Sequence, residues 1–272
     1  MKTIIFLFLS LSCSAKTLTK VWETEPLMDK PESAVYDAEN DLIYISNIGG
    51  EYFELDGNGF IAQVKPDGSI ENLKWVEGFN NPQGLALHNG KLYIADLTKV
   101  ICVDVNQGAI EKEYRCKGAK FFNDVTVDAK GDVYVSDSFA NCICRCRDDC
   151  MEVWDANLLL EKPNGLLRSK NDLFVLLFEK GILYKENLQT KELTQMCDGI
   201  SNADGITSDG EGGFFVTGAW QGQIFHLNAS GEKELVLDLQ GLQTTADITY
   251  IPKYHLLIAP TLDKTVVAYK WE

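Results

Sequence analysis

Val21-Trp22-Glu23, Leu27 and Lys30-Pro31-Glu32 return without a gap as Val153-Trp154-Asp155, Leu159 and Lys162-Pro163-Asn164, an offset of 132 residues throughout. Self-similarity at a fixed distance means that one structural unit has been copied along the chain. Working outward from Pro163, a shorter motif recurs: a polar residue, then alternating apolar residues, a turn and an aromatic-rich strand. Its members are Glu32-Ser33-Ala34-Val35, Gln83-Gly84-Leu85-Ala86, Asn123-Asp124-Val125-Thr126, Asn164-Gly165-Leu166-Leu167, Asp204-Gly205-Ile206-Thr207 and Ala246-Asp247-Ile248-Thr249. Successive members start 51, 40, 41, 40 and 42 residues apart. Each is followed by a second strand, at 42–46, 92–95, 133–136, 173–176, 214–217 and 256–259.

Strand-length runs of alternating character, joined by turns such as Asp67-Gly68, Lys130-Gly131 and Ser230-Gly231, make the chain all-β. No stretch reads as a long amphipathic helix. About 40 residues holding four short strands is the pattern of a propeller blade, and six copies predict a six-bladed β-propeller. The sixth copy ends at its third strand, 265–271, so its outer strand has to come from elsewhere. Residues 18–24 match the outer strand before the fourth copy, and the N-terminal strand is expected to complete the last blade. Otherwise a raw edge would invite pairing with other chains.

Residues 1–15 differ from the rest. A basic start at Lys2, an apolar run over Ile4–Leu11 and small polar residues at 12–15 have the order of a secretory signal, too short to span a bilayer. Cleavage after Ala15 and lipidation at Cys13 both remain open, and either predicts an exported protein, periplasmic or extracellular. Residues 16–272 are expected to form one domain with no linker. The 40 acidic against 25 basic residues give a net charge of −15, a field that repels nucleic acid and anionic membrane surfaces and attracts cations. No later stretch is apolar enough to cross a membrane. A P-loop is absent, which removes support for nucleotide hydrolysis.

The first residue of each copy opens the innermost strand, so six such side chains should ring the channel at one end. In order they are Glu32, Gln83, Asn123, Asn164, Asp204 and Ala246, five of which carry a side-chain oxygen. Turn chemistry would account for Asn164-Gly165 and Asp204-Gly205, but not for Glu32 and Asn123 in the same slot. Carboxylates and amides without Cys or His suit a hard divalent cation, Ca2+ or another such as Mg2+ or Mn2+.

The sequence around these residues, Pro31-Glu32-Ser33, Phe122-Asn123-Asp124, Pro163-Asn164-Gly165 and Ala203-Asp204-Gly205, resembles the gluconolactonase/regucalcin family of six-bladed propellers over essentially the whole chain after the leader. It is similar, more distantly, to phosphotriesterases of the diisopropyl-fluorophosphatase type. The resemblance implies Glu32, Asn164 and Asp204 as metal ligands and Asn123 as a contact to metal or substrate. It also implies Asp204 as the catalytic base or nucleophile, and a lactone, ester or organophosphate substrate. Some relatives place a histidine near the sixth slot, where this chain has Ala246. His88, His226 and His255 fall at turns or outer strands and are read as structural. No arginine is placed to hold a sugar-acid carboxylate. A non-catalytic, calcium-stabilised binding or signalling module remains the alternative to a hydrolase.

Two further features complete the reading. The first copy carries about ten extra residues around Gly49–Phe60, either a lid over the channel mouth or a tolerated insertion, with Asp56-Gly57-Asn58-Gly59 read as a turn. Cys142, Cys144, Cys146 and Cys150 crowd one hairpin, with Cys102, Cys116 and Cys197 elsewhere. Cys146 and Cys150 flank a turn and are placed to pair across it; free thiols and a soft-metal site are the alternatives.

Overall fold

A computed structural model describes residues 16–272, and among them there are 24 strands and no helix. The strands form six four-stranded antiparallel sheets. Blade one is β2 (Pro31–Asp37), β3 (Leu42–Asn47), β4 (Gly59–Val64) and β5 (Ile70–Phe79); blade two is β6 (Pro82–His88), β7 (Lys91–Asp96), β8 (Lys99–Asp104) and β9 (Ala109–Arg115). Blade three is β10 (Phe122–Val127), β11 (Val133–Asp137), β12 (Cys142–Arg147) and β13 (Cys150–Asp155); blade four is β14 (Pro163–Ser169), β15 (Asp172–Leu177), β16 (Ile182–Asn187) and β17 (Leu193–Cys197). Blade five is β18 (Ala203–Ser208), β19 (Phe214–Gly218), β20 (Gln223–Leu227) and β21 (Lys233–Asp238). Blade six holds β22 (Thr249–Ile251), β23 (Leu256–Pro260) and β24 (Val266–Trp271), closed by β1 (Leu18–Glu23) from the N-terminus.

That closure is antiparallel, running from Leu18 opposite Trp271 to Glu23 opposite Val267. It is tied off by a 2.7 Å bond from the Thr17 amide to the Glu272 carbonyl. The repeated tryptophan explains the 132-residue echo. Trp22 on β1 donates its ring N–H to the Pro66 carbonyl at 2.9 Å, so the last blade is fastened to the first. Trp154 on β13 likewise reaches blade four, its ring 4.9 Å below the Lys191 ammonium.

Hydrophobic burial explains the remaining order. The second strands β11, β19 and β23 are buried along their whole length because both faces meet a neighbouring blade, whereas outer strands such as β9 and β21 are largely exposed. Six apolar clusters fill the spaces between the sheets. Each fully buried Ile or Phe in them contributes roughly 1.5–3 kcal/mol. Gly68, Gly131 and Gly231, at the turns anticipated from sequence, have φ of 89°, 90° and 85°, which glycine adopts freely.

The sixth copy departs from the others. Its inner strand is only Thr249–Ile251, so Ala246 lies ahead of it. The Ala246 amide donates to the Pro260 carbonyl at 3.1 Å, but proline has no N–H to return the bond. The Thr217 hydroxyl of blade five donates to the Ala246 carbonyl instead, at 2.9 Å.

The cysteine expectation is also corrected. Arg147 pairs with Cys150 and Cys146 with Met151, around a two-residue turn whose residues Asp148 and Asp149 both have positive φ. Cys146 and Cys150 therefore point to opposite faces, one buried and one exposed, and cannot bridge. All seven described cysteines are free thiols, and no soft-metal cluster is gathered among the described residues. Cys142, Cys144 and Cys146 share one face of β12 and pack against Ala95, Val100 and Cys116 between blades two and three.

Residues 1–15, and with them the leader and Cys13, lie outside the described residues. Among the described residues, no helix is long and apolar enough to cross a membrane.

Candidate functional site

In each of the first five blades the pairing of inner and second strand slips by one residue at the same place. The slips lie between Pro31 and Ala34, Pro82 and Leu85, Phe122 and Val125, Pro163 and Leu166, and Ala203 and Ile206. Such a bulge re-aims side chains, and here it spans the slot residue and the one after it. The gap it leaves in the ladder is filled by hydroxyls: Ser46 accepts the Ser33 amide at 2.9 Å, Ser136 the Asp124 amide at 2.9 Å, and Thr217 the Gly205 amide at 2.8 Å. Side chains at the ends of second strands hold the approaching loops. The Asp96 carboxylate accepts the Asn80 and Asn81 amides, and that of Asp137 accepts the Lys120 and Phe121 amides.

As a result Glu32, Gln83, Asn123, Asn164 and Asp204 line one cavity of about 350 Å³ at one end of the channel. Glu32, Gln83, Asn164 and Asp204 are buried there. Asn164 Nδ2 donates to Asp204 Oδ1 at 2.6 Å, and Glu32 Oε2 is buried with no hydrogen-bond partner. The turn explanation for Gly165 and Gly205 falls, since neither has a positive φ. They are glycines because the inner strands crowd one another: a Cβ on Gly165 would sit 2.1 Å from the Asp204 carbonyl oxygen, and one on Gly205 2.6 Å from Asp247 Cα.

Sequence reasoning passed over a second layer. Asp124 and Asp247, one residue beyond the slots of blades three and six, are buried on the axis and face a smaller cavity of about 190 Å³. Asp124 accepts the Val125 and Leu166 amides at 2.7 and 2.5 Å, and Asp247 accepts the Ser33 hydroxyl at 2.5 Å. The sequence signal was there: these two copies have Asp where the others have Gly or Ser.

Four carboxyls thus converge in a desolvated hub. Burial, then the facing Asp204, Asp247 and Asp124, holds Glu32 well above the usual carboxylate range. Burial and Asp247 push Asp124 well up, against the pull of its two amide donors. Asp204 is pushed up to about 7 by burial and then Asp247, partly offset by the Asn164 amide. Asp247 is pushed up to about 6 by burial, opposed by the Ser33 hydroxyl and backbone amides. Among the described residues, no lysine or arginine ranks with the burial and neighbouring carboxyls that set these shifts. Unpaired buried charge costs several kcal/mol per group, so the hub must take up protons or a cation. No group of three or more His, Cys, Asp or Glu is gathered for a metal among the described residues. The candidate set at the mouth is two carboxylates and two amides, all hard oxygen donors, with Glu32 Oε2 unsatisfied.

No known sequence family matches the chain, and no characterised protein matches it in sequence. Among solved structures, a gluconolactonase from Xanthomonas campestris has a TM-score of 0.74 at 13% identity, covering 96% of this chain and 96% of its own. A second, described as a putative gluconolactonase, gives 0.72 at 15% identity, covering 95% and 93%. Virginiamycin B lyase from Staphylococcus aureus, in a catalytically inactive histidine-to-alanine variant with quinupristin, gives 0.67 at 11% identity over 94% and 99%. The chain folds as the gluconolactonases do. At such identities the likeness establishes the six-bladed propeller, and the chemistry has to be argued from the residues.

Within this six-bladed disc the three histidines lie away from the cavity. His226 on β20 bonds Asp209 at 2.9 Å and stacks 5.0 Å from Trp271; His88 bonds Asn89; His255 sits in a turn beside Tyr250. The long loop of blade one does reach the mouth, and its Tyr52 and Phe53 line the cavity. Lys30 holds that loop through the Gly50 carbonyl, with its ammonium 5.3 Å over the Tyr52 ring. Burial, then Glu32 and Asp204, pushes the Tyr52 hydroxyl up to about 12, so it stays protonated.

Proposed function

We propose that this chain is a divalent-cation-dependent hydrolase of lactones or esters, with calcium, or magnesium or manganese in its place, held by Glu32, Asn123, Asn164 and Asp204. The supporting observation is the unpartnered Glu32 Oε2 in a buried ring whose other members offer carboxylate and amide oxygens. A bound cation there would polarise the substrate carbonyl. Asp204 assists the attacking water as a general base, and the Asn164 amide fixes its orientation. Glu32 supplies negative charge to retain the cation, and Asn123 contacts the cation or the substrate. The gluconolactonase neighbours favour a small-molecule substrate for this pocket. The lyase neighbour is inactivated by loss of a histidine; this chain has none in its cavity, which favours hydrolysis over that lyase chemistry. The leader-like residues 1–15 favour action outside the cytoplasm.

The experiment is a metal assay coupled to turnover. Purified protein should carry about one divalent ion, melt lower after chelation because the ion binds the folded state, and hydrolyse members of a lactone and aryl-ester panel. Asp204→Asn keeps an oxygen and the volume but removes the base. It should retain the ion and lose about 10²- to 10⁴-fold in kcat. An ion-loaded wild type inert to the whole panel would transfer the assignment to a calcium-stabilised binding module.

A further inference from the structure

We infer that the substrate of this pocket carries an apolar, ring-sized substituent beside its reacting carbonyl, and is not a polyhydroxylated sugar lactone; this rests on the hydrolase reading above. The ring of slot residues forms the floor, and the wall above it is mainly hydrocarbon, with the Tyr52 hydroxyl, Ser138 and Lys162 as its polar members. Tyr52 and Phe53 come from the long loop of blade one, Phe121 from blade three, Phe178 from blade four, Trp220 from blade five and Leu262 from blade six. Phe53 packs edge-on to Phe121 at 5.0 Å and against Phe139 at 5.7 Å, while Phe121 and Phe139 lie 5.0 Å apart.

Phe53, Phe139 and Trp220 are 54%, 50% and 53% exposed, although the disc has six apolar interfaces that could bury them. Phe53 also has a φ of +69°, a conformation costly for a bulky residue. Half-exposed aromatic rings around a concave mouth are built to be covered by something apolar.

Two polar side chains of the wall, Ser138 and Lys162, are already committed. The Ser138 hydroxyl donates to the Pro163 carbonyl at 2.6 Å, and the Lys162 ammonium is paired with Glu179. No arginine lines the cavity. A sugar lactone entering here would exchange water for hydrocarbon around several hydroxyls, and a buried hydroxyl left without a partner is penalised heavily. A volume of about 350 Å³ is at the small end for ligand pockets, which suits a bicyclic aryl lactone or a short-chain alkyl lactone.

The test compares kcat/KM for dihydrocoumarin and δ-nonalactone with that for glucono-1,5-lactone, in wild type, Phe53→Ala, Phe53→Leu and Trp220→Ala. In parallel, calorimetry measures binding of 3,4-dihydro-2-quinolinone, the lactam counterpart of dihydrocoumarin that resists hydrolysis. The expected result is a preference of at least about 10-fold for the apolar lactones. It should shrink about 10-fold in Phe53→Ala and Trp220→Ala and less in Phe53→Leu, as loss of aromatic contacts predicts. Lactam binding should weaken in the same order. Equal or better turnover of glucono-1,5-lactone overturns the inference while leaving the hydrolase intact. If no lactone is turned over, the hydrolase reading fails and the lactam decides alone: binding that weakens in Phe53→Ala upholds the collar, and no binding overturns it.

Discussion

Replacing Gly165 with alanine tests whether the hub is built by close approach of inner strands. The new Cβ would lie 2.1 Å from the Asp204 carbonyl oxygen and 3.0 Å from Leu176 Cδ1, whereas ordinary contact begins near 3.4 Å. Backbone oxygen cannot rotate away, so β14 and β18 must separate by more than an ångström. Overpacking of this kind costs about 3 kcal/mol. For a domain of this size that lowers Tm by about 6–12 °C, at about 2–4 °C per kcal/mol. Since the displaced group is the backbone of Asp204, cation retention should fall as well.

Gly118 is the comparison, with φ of +85° and nothing within 4 Å of its missing Cβ. Alanine there meets only backbone strain, and asparagine, which tolerates the left-handed region, should be the better substitute. At Gly165 the order reverses, because asparagine is larger. Thermal melts of the four variants read this directly. A Gly165→Ala protein melting within about 2 °C of wild type, or asparagine preferred at both sites, would refute the close-approach account.

Two other expectations follow from the same structure. Deleting residues 17–24 removes β1 and exposes the β24 edge and its apolar face; the truncated protein should aggregate or melt far lower in size-exclusion and calorimetric runs, and an unchanged monomer would disprove the closure. Glu186, buried between β15 and β17, faces Asp155 with no donor to either of its oxygens, and burial, then Asp155, pushes it up to about 9. An acid raised in the folded state stabilises fully below its unfolded value of 4.5 and loses that contribution as pH climbs towards 9. Wild-type Tm should therefore decline across that window more steeply than that of Glu186→Gln, and parallel profiles would sink the argument.

Much of this protein is written in local pattern. The spacing of Glu32, Gln83, Asn123, Asn164, Asp204 and Ala246 gave the number of blades, and the missing outer strand of the last copy pointed to closure by residues 18–24, of which Leu18–Glu23 form the strand. The oxygen-bearing slots followed too, because a strand that opens each repeat must face the axis of any closed disc. What the sequence could not determine depends on which residues from different blades meet. The bulges that aim the slots, the glycines that let Asp204 and Asp247 approach, and the second acidic layer arise only once six inner strands share one axis. A single residue of register in β12–β13, invisible in cysteine spacing, sent Cys146 inward and Cys150 outward. The aromatic collar is assembled from four blades, so its rings are scattered along the chain and gain meaning only when ring closure brings the loops to one mouth.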